Sequence, residues 1–314
     1  MTFAGALIIG VLLVGWCAPF ALRRLAACHD AAVGIICWIV TIAGVLSTFA
    51  VGVGLLLLPG HQHTGPFAHL GHDCWTFVRH DWAHELGELL GAVGVSALAT
   101  VLFRCVRASA TSLRSRRRER GAHLELLGIT ELSGARGSNV VWLDHPAPFA
   151  YSLAGRPSLV VATTGLRELP EAQRDAVLRH EIAHVRGRHH LWVALTEDLA
   201  KALPFVPLFR HAPAATRQLV ELAADAAAAS ACGRFAVRAA LLALDGGTHP
   251  QQALAIASRD VPLRLRRLAQ SDRTGGRLPR TAARVAAVLT AAVTPAVVGL
   301  GTFLVALAAA CPAH

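Results

Sequence analysis

The sequence predicts a mainly α-helical membrane protein, with four transmembrane helices and one α+β domain between the third and fourth. Three observations predict it. Of 314 residues, 54% are apolar and only 16% charged, and the mean hydropathy is +0.48, well above that of ordinary soluble domains. Four stretches, near 4–22, 31–58, 86–103 and 285–311, are long and apolar enough to cross a hydrocarbon core. The segment between the last two carries most of the remaining charge and is long enough to build its own core.

The second and fourth stretches have no charged side chain across 31–60 without Asp, Glu, Lys or Arg and across 285–313 likewise. The third is uncharged over 89–103, behind Glu85 and Glu88 and ahead of Arg104 and Arg107. The first has no basic residue before it and Arg23 and Arg24 after it, the pattern of a retained anchor rather than a secretory signal. Arginine also clusters at 114–120 and at Arg277, Arg280 and Arg284. All these clusters fall on one side, which the positive-inside rule makes the cytoplasm. The expected division is three spans over 1–110, a cytoplasmic domain over 111–280, and a fourth span with a short outer tail over 281–314.

The formal charge of +10 is used by these juxtamembrane clusters facing anionic lipid, so no nucleic-acid binding is expected. Lys201 is the only lysine among 30 basic residues, a bias expected of a GC-rich bacterial genome, which places the chain in a bacterial plasma membrane. Seven cysteines form no C-x-x-C pair, so a cysteine zinc site or redox motif is not expected. Cys74 and Cys311 fall on the predicted outer face and form a candidate disulfide.

Within the domain, NVVWLD at 139–144 reads as a strand, a Pro-rich turn follows, and SLVVAT at 158–163 reads as a second strand. Pro170 starts a helix with Glu171 in its first turn, running to about Gly187. Residues 189–209 read as an amphipathic helix ending in the apolar LPFVPLF and dipping against the membrane surface. Further helices are expected over 215–231 and from Gly247 to about Leu268.

The chemistry sits in His180-Glu181-Ile182-Ala183-His184. On a helix this spacing puts two imidazoles on one face, able to hold one metal ion, with a carboxylate between them. A catalytic zinc needs a third protein ligand and one open position. His190 is one candidate, because HEIAHVRGRHH also fits H-E-x-x-H-x-x-G-x-x-H, although the methionine turn of that pattern is missing and Met1 is the only methionine. Glu221 is the other, in QLVELAADAAAA, where it shares a helix face with Asp225. Two acids in so apolar a stripe need partners; a metal for Glu221 and the second nitrogen of His180 for Asp225 would supply them.

These motifs resemble the gluzincin-type membrane peptidases, most of all the BlaR/MecR antirepressor group, with the HtpX-type proteases sharing the core. The resemblance runs through 148–150, 158–166, the HEIAH helix, 221–225 and 262–268, and with the spans covers most of the chain. It implies a zincin-like domain binding one Zn2+ through His180, His184 and Glu221, with Glu181 as general base and Asp225 behind His180. It implies a zinc endopeptidase hydrolysing a protein or peptide substrate, among which a transcriptional repressor is one. Quality control of membrane proteins is the alternative. The sequence departs from the best-known members in showing no penicillin-binding sensor domain after the fourth stretch, which puts beta-lactam sensing in doubt. Substrate is expected to lie along Leu159, Val160, Val161 and Ala162 by main-chain pairing. Tyr151 and Arg264 are candidate oxyanion stabilisers.

His61, His63, His69, His72, His80 and His84 crowd the predicted outer loop at 59–85, beside Asp73, Cys74 and Asp81. A metal or pH sensor, or a transporter, would centre there instead. Within the predicted spans only Glu88 offers the intramembrane polar group a transporter needs. Neither the oligomeric state nor the activating signal follows from these residues.

Overall fold

The structure, a computed structural model, describes residues 3–28, 30–57, 82–126, 140–155, 157–245, 261–269 and 280–310. In chain order these form α1 (Phe3–Cys28), α2 (Ala31–Leu57), α3 (Trp82–Leu126), β1 (Val140–Leu143), β2 (Ala150–Leu153) and β3 (Leu159–Thr163). A 3₁₀ turn (Thr164–Glu168) leads to α4 (Glu171–Arg186), α5 (His189–Ala202), α6 (Pro207–Cys232), α7 (Arg234–Asp245), α8 (Val261–Ala269) and α9 (Arg280–Ala310). Helices α1, α2, α3 and α9 are long and apolar enough to cross a membrane, as the four stretches predict. The outer-loop histidines, Asp73, Asp81, Cys74 and Cys311 lie outside the described residues, as do the side chains of His84, Glu85 and Glu88.

Helices α1, α2 and α9 pack on one another. Apolar side chains give no hydrophobic drive within lipid, so close backbone contact has to hold such helices together. Gly10 and Gly299 permit it: a Cβ on Gly10 would lie 2.6 Å from the Gly299 Cα. The Thr302 hydroxyl adds an interhelical hydrogen bond, donating to the Ala6 carbonyl at 2.9 Å.

Helix α3 runs unbroken through the expected domain boundary at 110, because no glycine or proline occurs between Gly94 and Gly121. Its basic half lies along α5. Arg104 Nε donates to the Ala202 carbonyl at 2.6 Å, Lys201 Nζ to Ser112 at 3.1 Å, and Arg116 pairs with Glu197 and Asp198, each at 3.2 Å. The arginine run therefore serves the domain as well as the lipid surface.

The sheet has the order β1–β3–β2, with β1 parallel and β2 antiparallel to β3. This corrects the expected substrate strand. Leu159 pairs with Leu153, and Val160, Val161 and Ala162 pair with β1 on one side and β2 on the other, so β3 offers no edge. All five β3 residues are buried, which is why the run is continuously apolar. The expected Pro-rich turn contains β2, hidden by flanking proline and glycine.

Pro170 and Gly187 bound α4 as the sequence predicts. The segment after it divides differently: α5 stops at Ala202 and α6 starts at Pro207, eight residues earlier than Ala215, because proline suits a first helical turn. Helix α7 has no counterpart in the sequence reading, and α8 is the end of the helix expected to reach Leu268.

Two apolar clusters result. One joins α1 and α2 to Leu199, Leu203, Leu208, Phe209, Leu219 and Val220. The other gathers Ala162, Leu166, Ala176, Val177, Ala228 and Val237.

Candidate metal centre

Helix α4 presents His180 and His184 one turn apart, and α6 crosses it with Glu221 and Asp225 one turn apart. His180 Nε2 lies 3.1 Å from His184 Nε2 and 3.4 Å from Glu221 Oε2, and His184 Nε2 lies 3.5 Å from Glu221 Oε1. One donor atom from each residue falls within 4.8 Å of the others. Two imidazoles and a carboxylate converging this way are the donor set of a catalytic zinc. Glu221 keeps 29% side-chain exposure, so the cluster is open on that side.

The other nitrogen of each histidine is tied behind the cluster. His180 Nδ1 lies 3.0 Å from Asp225, so its N–H donates to that carboxylate and leaves Nε2 as the lone-pair donor. Arg264, buried on α8, holds Asp225 by two hydrogen bonds of 2.7 and 2.6 Å and reaches Glu221 at 3.2 Å. The guanidinium is thereby engaged with both carboxylates. It fixes them, rather than serving as the expected oxyanion donor.

His184 has a different support. Its Nδ1 lies 3.0 Å from Nδ1 of His189, which is buried to 8% exposure. The turn after α4 makes this possible. Arg188 takes a left-handed φ of 48°, and the His189 ring packs so closely on Gly187 that a side chain there would collide with it. The chain turns just after Gly187, at Arg188, and brings His189 rather than His190 to the site. His190, one of the two candidate third ligands, is therefore not brought to the cluster, and Gly187 followed by the HH pair is the sequence signal for this turn.

Glu181 lies toward β2, where the hydroxyl and backbone N–H of Ser152 favour its ionised form. Tyr151, the neighbour on β2, faces the other side of the sheet, and its hydroxyl meets His123 Nε2 at 2.6 Å. That pairing removes Tyr151 from the expected oxyanion role.

The charge balance also fits a dication. Glu181, Glu221 and Asp225 carry three negative charges against one guanidinium, so a divalent ion would bring the cluster to neutrality. In the metal-free chain protons take that place. Burial pushes Glu181 up to about 7, opposed by the His180 charge. Burial disfavours a charge on His180, yet its hydrogen bonds to Asp225 and Glu221 prevail and hold it near 9. His184 falls to about 3 through burial and the charge of His180. Asp225 sits near 2: burial opposes ionisation, and the Arg264 and His180 hydrogen bonds outweigh it.

Removing Glu221 as Glu221→Ala should lower bound zinc in chelator competition, whereas His190→Ala should not. His189→Leu, which cannot accept the His184 N–H, should weaken zinc about 10–100-fold, and His189→Asn should restore much of that. Zinc affinity should also depend on pH over an unusual range. Because His180 must lose its proton to ligate, affinity should rise roughly tenfold per pH unit below its metal-free pKa and level off near 9. Asp225→Asn keeps an acceptor for the His180 N–H but removes the negative charge that helps retain the proton, and should move the plateau to lower pH.

Comparison with known proteins agrees with this geometry. Residues 116–218 match Peptidase family M48. The plastoglobule-localized metallopeptidase 48, chloroplastic, of Arabidopsis thaliana is 30% identical over 90 residues, covering 28% of this chain and 26% of that protein. The chain therefore matches about a quarter of that relative's length, and no solved structure matches it. The matched span ends three residues before Glu221 and so covers neither Glu221 nor Asp225. The middle third of the chain is thus similar to the domain of Peptidase family M48.

Proposed function

We propose that the chain is a membrane-embedded zinc endopeptidase, of the gluzincin type, that cleaves a protein from the cytoplasmic face of a bacterial plasma membrane. The observation that carries this reading is Glu181 beside the His180, His184 and Glu221 cluster, held by Ser152 and partly buried.

A zinc ion bound there would supply Lewis acidity, polarising the scissile carbonyl and acidifying water. Glu181 takes the proton from the attacking water and passes it to the leaving amine. Its raised pKa suits both transfers near neutral pH. Asp225 and His189 keep the lone pairs of His180 and His184 aimed at the ion. Among the described strands β2 pairs only with β3, so its other side is the place for an extended substrate to add by main-chain hydrogen bonds. This replaces the role expected of β3.

Regulated cleavage of a cytoplasmic repressor is the biological role we favour, on the resemblance to the antirepressor group. Proteomic comparison of wild type with Glu181→Gln tests the whole reading. The variant should bind zinc as wild type does and stabilise one or a few proteins. Broad accumulation of membrane proteins would point to quality control, and unchanged proteolysis would remove the hydrolytic role.

A further inference from the structure

Between Lys201 and Arg210, both exposed, the chain reads Ala-Leu-Pro-Phe-Val-Pro-Leu-Phe, with no charge, and forms the turn from α5 into α6. Its depth along the spans can be read from its neighbours. A Cβ on Gly15 would lie 3.0 Å from the Val206 side chain. Gly15 is inside α1, about 12 Å along the helix before Arg23 at a rise of 1.5 Å per residue. Leu203, Leu208, Phe209 and Ala212 are buried in one cluster with Val11, Val14 and Trp38 of α1 and α2.

The bundle has room for this turn. Helix α3 meets α2 through Gly91 and Gly94, which face Val53, Leu56 and Leu57 near the far end of α2. Midway along its length α3 contacts the turn itself, where Arg104 donates to the Ala202 carbonyl. The turn is thus a wedge between α3 and the α1–α2 pair.

Irregular backbone at membrane depth is tolerated only where its polar groups are satisfied. Pro204 and Pro207 have no N–H to satisfy. The Leu203 N–H donates to the Leu199 carbonyl at 2.8 Å and the Val206 N–H to the Leu203 carbonyl at 3.3 Å. Arg104 takes the Ala202 carbonyl, and its charge favours the C-terminus of α5. Lys201 and Arg210 flank the run with stems long enough to carry their charges back to the interface. Meanwhile Pro204 and Phe205 face outward, Phe205 at 65% exposure.

We propose that residues 203–209 form a re-entrant membrane tip, with Pro204 and Phe205 packed against lipid acyl chains. The domain that bears the metal ligands is then anchored inside the bilayer as well as tethered by its flanking spans. Helix α6 carries Glu221 about 21 Å from Pro207, which fixes how far the metal stands from that anchor.

The test places the photocrosslinker p-benzoylphenylalanine at 103, 205 or 235 of the full chain in native membranes. All three are exposed phenylalanines; Phe103 lies in a span, and Phe235 begins α7, which packs in the second cluster. Lipid adducts are expected at 205 at a level matching 103, and absent at 235. An adduct pattern at 205 like that at 235, or capture of protein instead of lipid, would overturn the proposal. It rests on the membrane spans and not on hydrolysis, and the same crosslinks read in Glu181→Gln separate the two.

Discussion

Glu221 and Asp225, one turn apart on α6, are carboxylates largely withdrawn from water, and the surrounding structure compensates for that burial. An ionised carboxyl in so apolar a helix would cost several kcal/mol without partners. Arg264 supplies one charge, the two imidazoles of α4 lie beside the carboxylates, and in the proposed reading a dication would complete the balance. In the proposed reading a metal would be the last member of this network, whose donor atoms the protein already brings together. Removing one member would leave another buried and unpaired, so the network acts as a unit.

The position of these acids follows from how α6 is shared between two cores. Its first half, through Val220, packs with the spans, and Ala228 packs with the sheet and α7. Glu221 and Asp225 fall at the junction, where neither cluster fills the space and where α4 and α8 converge. The same helix therefore ties the chemistry to the membrane.

Much of this was legible because a few residues carry unambiguous physics. Proline at 170 and glycine at 187 bound a helix, histidines four apart share its face, and acids four apart in an alanine-rich run demand partners. The spans were legible from composition alone. Strand β2 was not, since four residues between proline and glycine show no alternation, and its role emerges only through pairing with β3. Nor was the role of His189, which depends on a left-handed Arg188 and on the absence of a side chain at Gly187. Ser152 meets the site from a distant segment that no local pattern announces, whereas Arg264 was legible as a site residue but not as the partner of Asp225. Continuity of α3 was obscured because a run of arginines looks like the edge of a domain when it is also good helix.

The central claim concerns the ligands, and zinc K-edge absorption fine structure on the purified full chain tests it most directly. The predicted first shell contains two imidazole nitrogens completed by oxygen, with no sulfur. A third imidazole, or a sulfur scatterer at about 2.3 Å, would contradict the account.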